Sequence, residues 1–447
     1  MNLILYLIYA LSFLASQSDG TSITVYRDGM ALIKQPVSWD IKPGFNNITW
    51  GNLPSGIHRD TPFLNVSGAD ILSQRFNDNV FKGSEFFNSL KGQSVQIKPK
   101  DGKLLKGRLL EINPNSISIS NSSGVFNLNR RNIDFISTKN NNIDGLTFRP
   151  YLSWDLKSKS EMILKGDLVY KSSDFSWSTV YRLKMINEQK GELIAEAVIS
   201  NNSDMEFSNS KLKLVEGNLN KAPSLMPRTR RLNKTSSANE LNISPKMDSQ
   251  MLGDYHIYAL NEFYNILPGE NITVRMYGPL EVGYKKKYVF ENSERSQKEE
   301  PLEVQLTMEN TESNGLGISL PGGKVEMYLS SDSKKLEYIG ADNMGQVAKG
   351  QSTLLTSGRA FDVNGNRKVL NYDRQRKSEE AVIEIRINNS RNEEIEVLLI
   401  EHINGDWIIK DESVNYQKKD ASTIHFPLSI NAGETKNVYY TYRKEWK

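Results

Sequence analysis

From Thr21 onward apolar residues alternate with polar ones, and that period of two restricts the chain to sheets. Leu193, Ala195, Ala197 and Ile199 fall on one side, as do Val304, Leu306 and Met308, then Val325, Met327 and Leu329. Ala381, Ile383, Ile385 and Ile387 repeat the pattern, followed by Ile424, Phe426, Leu428 and Ile430, and by Val438, Tyr440 and Tyr442. Successive side chains of a strand point to opposite faces, so this spacing turns one row toward a core and the other toward water. Helical spacing is nearly absent. Lys42-Pro43-Gly44 and Asn364-Gly365-Asn366 read as turns between strands, at spacings typical of sandwiches. The expected fold class is all-β, built from tandem antiparallel β-sandwich domains.

Two segments echo each other. One strand ends in Asn201-Asn202-Ser203 and resumes at Lys211, and another ends in Asn388-Asn389-Ser390 and resumes at Ile395. Both read as strand, Asn-rich turn, strand, as two similar sandwiches in tandem would give. Between Ser84 and Ser137 lies a different unit. Ser84 can cap a short helix carrying Phe86, Phe87 and Leu90, Gly92 can end it, and five short strands follow. Gly107 allows the second of them to bend sharply. This unit resembles a small Sm-like or SH3-like barrel inserted in another domain.

The expected division is therefore a signal peptide at 1–18, an N-terminal sandwich at 19–83 completed by 141–165, and a barrel insert at 84–140. A central sandwich at 166–300 and a C-terminal one at 301–447 complete it. The signal peptide rests on the apolar run from Leu3 to Ala15, which is too short for the ~20 residues that cross a bilayer. An exported chain, periplasmic, in the cell envelope or extracellular, is expected from it.

A chain of 447 residues without Cys has no disulfides, thiolate metal sites or thiol nucleophiles, so each core must hold by packing. A net charge of +3, from 56 Lys and Arg against 53 Asp and Glu, argues against a nucleic-acid binder that relies on a large positive field. The four His, at 58, 256, 402 and 425, are scattered, and neither a His-Glu-x-x-His motif nor a Gly-x-Ser-x-Gly elbow occurs. Asp362, Asn364 and Asn366 open like a calcium loop, but Arg367 stands where its Gly is needed, which favours a polar hairpin. Adjacent carboxylates such as Glu379 with Glu380 and Glu393 with Glu394 point to opposite faces of a strand, so no doublet alone makes an acid and base pair. No catalytic residue, metal or cofactor is expected.

The segment from Asn220 to Gln250 reads as a mobile loop, with a basic cluster at Arg228, Arg230, Arg231 and Lys234. Those arginines, with Tyr440 and Tyr442 of the last strand, are the expected contacts to a partner.

Short motifs occur in a consistent order. They are Val25-Tyr26-Arg27-Asp28-Gly29-Met30-Ala31, Asn52-Leu53-Pro54-Ser55-Gly56-Ile57, Pro150-Tyr151-Leu152-Ser153-Trp154 and Phe175-Ser176-Trp177-Ser178-Thr179-Val180-Tyr181. Leu212-Lys213-Leu214-Val215-Glu216-Gly217-Asn218 and Gly358-Arg359-Ala360-Phe361-Asp362-Val363 follow. In this order the chain resembles the domain of unknown function (DUF) 4139 family. The resemblance implies an exported multi-sandwich protein with no assigned reaction. Two classes stay open: an envelope interaction or scaffold protein that binds a protein or glycan, and a hydrolase whose carboxylates assemble across a sheet.

Overall fold

The computed structural model describes residues 20–78, 83–139, 148–217, 249–252, 255–330 and 335–446. The first strands are β1 (Ser22–Tyr26), β2 (Ala31–Ile41), β3 (Gly44–Trp50), β4 (Phe63–Val66) and β5 (Ala69–Asn77). The insert holds α1 (Gly83–Ser89), β6 (Ser94–Pro99), β7 (Leu105–Ile112), β8 (Ser116–Asn121), β9 (Gly124–Asn129) and β10 (Ile133–Thr138). Then come β11 (Tyr151–Ser158), β12 (Met162–Ser172), β13 (Phe175–Met185), β14 (Lys190–Asn201), β15 (Phe207–Glu216), β16 (Ser249–Leu252), β17 (Tyr255–Ile266) and β18 (Asn271–Gly283). The rest are β19 (Lys285–Ser293), β20 (Lys298–Glu309), β21 (Gly323–Ser330), β22 (Leu336–Met344), β23 (Ser352–Arg374), β24 (Ser378–Asn389), β25 (Ile395–His402), β26 (Trp407–Lys410), β27 (Gln417–Lys418), β28 (Thr423–Ile430) and β29 (Thr435–Glu445). The all-β class is as the alternation predicts.

Three sheets build the first body, in the orders β16-β17-β15-β1-β2-β12-β4, β3-β11-β5 and β18-β14-β13-β21-β22. One hydrophobic cluster joins them, with Ile23, Trp154, Tyr181, Ala197, Leu214 and Met327 buried together. The second body is one nine-stranded sheet, β26-β29-β24-β23-β20-β19-β25-β28-β27. It curls on itself: the Phe426 ring of β28 stacks on Tyr440 of β29, 5.4 Å between centroids, although five strands separate the two in the sheet. A sheet folded in this way buries one face without a second sheet.

The expected boundaries at 165/166 and 300/301 are not breaks, because they fall inside β12 and β20. β12 pairs with β2 on one side and β4 on the other, and so belongs to the first body throughout. β20 and its antiparallel partner β23 pass through both bodies. Leu306, Met308 and Leu355 sit in the first core, while Leu302 and Val363 sit in the second. Between them the ladder is irregular, with residues 360–363 bulging opposite Leu302 and leaving Phe361 91% exposed. Among the described residues three strand pairs are parallel, β1 with β15, β13 with β21 and β19 with β25, each joining segments far apart in sequence.

The Asn-rich turns carry a repeated anchor. Asn201 donates from Nδ2 to the carbonyls of Met205 (2.8 Å) and Leu267 (3.1 Å), while its own N–H bonds Glu270 O. Asn389 does the same to Glu393 (2.9 Å) and Asn431 (2.9 Å), with its N–H on Glu434 O. A third copy follows β20: Asn310 donates to Val347 and Ala348, 3.0 Å each, and its N–H bonds Gln351 O. Each Asn is buried and ties the end of one strand to the turn before a later one. The turns themselves are alike: Ile266-Leu267-Pro268-Gly269-Glu270, Val347-Ala348-Lys349-Gly350-Gln351 and Ile430-Asn431-Ala432-Gly433-Glu434.

The insert folds around its own cluster of Leu90, Val95, Ile97, Leu109, Ile117 and Ile119. Its sheet runs β10-β6-β7-β8-β9, and among the described residues no ladder joins β9 to β10, so it is a curled, open half-barrel. Gly107 faces inward there, where a Cβ would stand 2.7 Å from Ser120 O. The insert leaves and rejoins the first body at neighbouring points, because Asn77 at the end of β5 is opposite Tyr151 at the start of β11.

Asn364-Gly365-Asn366 is no turn. It lies within β23, with the Phe290 ring packed against Gly365 so closely that a Cβ would approach it to 2.9 Å. The expected hairpin at Asp362–Arg367 is thus strand, and Arg367 is buried in it. The apolar run at residues 3–15 and the loop at 220–248 lie outside the described residues.

Candidate functional site

Where the two bodies meet, a groove of about 950 Å³ opens beside the crossing from β18 to β19. The sequence Gly283-Tyr284-Lys285-Lys286-Lys287-Tyr288 makes that crossing. One wall is the turn between β13 and β14, carrying Glu188 and Lys190, and the other is the start of β25, carrying Glu393, Glu394 and Glu396. Glu188 spans the groove: its Oε2 accepts from Lys286 Nζ (2.6 Å), and its Oε1 lies 3.4 Å from Arg391 Nη2. Tyr284 braces the crossing, its hydroxyl donating to Asn187 O and its N–H to Gln189 O (2.8 Å). Burial, with Glu188 nearby, pushes the Tyr284 phenol well above its ordinary range, so it stays protonated. Asn314 exchanges two hydrogen bonds with the Gly283 backbone, 2.8 and 2.9 Å.

Most charges of the groove are matched. Arg391 pairs with Glu393, Lys285 lies 3.6 Å from Glu309, and Ser429 donates to Glu394. Lys190 bonds Glu281 at 2.7 Å, which raises the Lys190 ammonium above its ordinary value. Tyr288 is the exception. Its ring lies under the Lys286 ammonium, 5.4 Å from the centroid, and its buried hydroxyl has no hydrogen-bond partner among the described residues. The arrangement offers alternating cations, carboxylates and phenols, which suits a polar ligand bound by many hydrogen bonds.

The residues expected as partner contacts lie elsewhere. Tyr440 and Tyr442 are 1% and 0% exposed, so they cannot touch a partner. Tyr440 and Tyr442 share one face of β29, and that face turns into the curled sheet. Tyr440 donates to Glu401 Oε2 (2.5 Å) and Tyr442 to Glu379 Oε1 (3.1 Å). Tyr439 is the exposed one, and its hydroxyl bonds Glu384. Arg228, Arg230 and Arg231 lie outside the described residues. The scattered His do not gather a metal: His402 Nε2 lies 2.6 Å from Glu291, and among the described residues no three His, Asp or Glu are placed to hold an ion. Of the carboxylate doublets, Glu379 is buried rather than solvated, as Glu380 is.

Three of the ordered motifs converge on one point of the first body. Arg27 lies over the Trp177 ring, 4.8 Å from its centroid, with Nη1 3.5 Å from Thr179 Oγ1 and Nε 3.6 Å from Glu216. Glu216 is 5% exposed and accepts from Gln346 (2.7 Å). Arg27 also donates to Gly322 O, which fixes the entry to β21. These contacts tie β1, β13, β15 and β21 together, a structural task that accounts for residues so far apart. No family model matches the sequence, and no curated protein matches it.

Proposed function

We propose that the protein is an exported cell-envelope interaction or scaffold protein, related to the domain of unknown function (DUF) 4139 family, that holds a protein or glycan partner in the groove between its two bodies. The observation that carries this reading is the Glu188 bridge from the first body to Lys286 and Arg391 of the second, in a groove walled by both. β20 and β23 run through both cores, so the groove is framed by continuous strands rather than by a linker, and a preformed site loses little entropy on binding. A second reading, a hydrolase, draws on the carboxylates that different turns bring to the same groove, Glu188 with Glu394 and Glu396.

The test is recovery of a partner from envelope extract by the protein and by Lys286→Glu and Tyr288→Phe variants, beside a turnover screen on glycan, peptidoglycan and ester substrates. A partner lost with Lys286→Glu supports the scaffold reading. Saturable turnover abolished by Glu394→Gln or Glu396→Gln, with no stable partner, overturns it in favour of the enzyme.

A further inference from the structure

The charge of the chain is concentrated in the insert. Residues 83–139 hold nine Lys and Arg against four Asp and Glu, a net +5, whereas the whole chain is +3, leaving −2 for everything else. The register shows where part of this charge points. Lys98 is opposite Phe135, Lys106 is opposite Gln96, and Arg108 is flanked by Ser94 and Ser120, with Val125 next beyond Ser120. Their chain neighbours Val95, Ile97, Leu109 and Ile119 are at most 1% exposed, so these rows lie on the convex outer face.

No carboxylate is in register in the three rows; one acid, the exposed Asp134, stands in the bulge before Phe135. Among the described residues neither Lys106 nor Arg108 makes an ion pair, and Lys98 bonds only the carbonyl of Gly102 (2.5 Å). Lys100 and Lys103 stand in the adjoining turn. The cations share the face with exposed apolar side chains: Phe135 is 50% exposed, Val125 69% and Leu104, just before β7, 42%.

We propose that this outer face docks on an anionic lipid bilayer. Lys and Arg gain from the negative surface potential of such a bilayer, while apolar side chains beside them enter the boundary between headgroups and acyl chains. A soluble polyanion would use the cations but not Leu104 or Val125, and single strands are held in grooves, whereas this face is convex. The insert leaves and rejoins the first body beside the Asn77 and Tyr151 pair, and none of its residues lines the groove between the bodies.

The test is co-sedimentation of the chain beginning at Gly20, which retains every described residue, with vesicles of phosphatidylglycerol and phosphatidylcholine or of phosphatidylcholine alone. Binding to the anionic vesicles only is expected, falling about fivefold per cation removed and about thirtyfold in Lys106→Gln/Arg108→Gln. Phe135→Ser should weaken it at unchanged salt dependence, and unchanged melting of each variant shows that the fold is intact. Equal binding by the double variant, or no binding to anionic vesicles at low salt, overturns the proposal. So does binding to a soluble polyuronate with none to vesicles, which would give the face to an acidic polymer instead.

Discussion

Arg367 and Glu401, each with a fully buried side chain, face one another in the core of the second body, Nη2 2.8 Å and Nε 3.0 Å from Oε2. Asn292 and Tyr440 complete the carboxylate, and the carbonyls of Glu294 and Ser296 take the remaining guanidinium donors. A pair so enclosed contributes little net stability, but removing one partner strands the other charge. Arg367→Met should therefore cost about 3–5 kcal/mol. Arg367→Met/Glu401→Leu should recover most of it, and urea unfolding of the three proteins checks both.

Beside this pair Glu379, also buried, sets a pH dependence. Burial alone would raise its carboxyl, but hydrogen bonds from Tyr372 (2.9 Å) and Tyr442 (3.1 Å), with Lys444 and Arg295 near, outweigh it and hold the group below the usual carboxylate range. A carboxyl depressed by folding stabilises the native state above its unfolded value, and that contribution is lost as pH falls through the folded one. Glu379→Gln should melt lower than the unaltered protein at pH 7, and the gap should narrow below about pH 4.3. Melting curves from pH 7 to pH 3 measure it.

The three Asn anchors should be individually indispensable to their bodies. Asn389→Ala and Asn201→Ala each leave buried carbonyls without donors, at a cost of about 2–4 kcal/mol. Asp, which has the shape but not the Nδ2 donors, should rescue neither. Chemical denaturation followed by Trp fluorescence reads the loss.

Replacing residues 83–139 by a short Gly-Ser linker should leave the two bodies folded, because the insert has its own core and its ends meet at the Asn77 and Tyr151 pair, 2.9 Å between Nδ2 and the hydroxyl. Leu302→Ala and Leu306→Ala, four residues apart on β20, should each lower a single shared transition by about 2–5 kcal/mol of stability, since β20 serves both cores. Calorimetry distinguishes one transition from two.

Strand periodicity was plain in the sequence because it is local. Ala381, Ile383, Ile385 and Ile387 are all buried, as are Ile424, Phe426, Leu428 and Ile430. It fails at Leu329, 40% exposed, because a register shift between Met327 and Tyr328 breaks the alternation. Asn201 and Asn389 showed their kinship through similar neighbours, while Asn310 is followed by Thr311 and Glu312 and looked like any turn residue. The groove was illegible for a different reason. The run Lys285 to Lys287 is visible, but its meaning depends on Glu188 and Arg391, about a hundred residues away on either side. Likewise nothing local distinguishes Arg367 in a strand from Arg367 in a hairpin until Glu401 is opposite it.

The two strands that pass through both cores also decide how the molecule bears force. A pull along β20 and β23 loads their ladder in shear, so the hydrogen bonds, which lie across the strands, share the strain and must yield together. Such a chain is a tie that resists stretching along its strands, and the bulge beside Phe361 divides its ladder into two stretches that share the load separately.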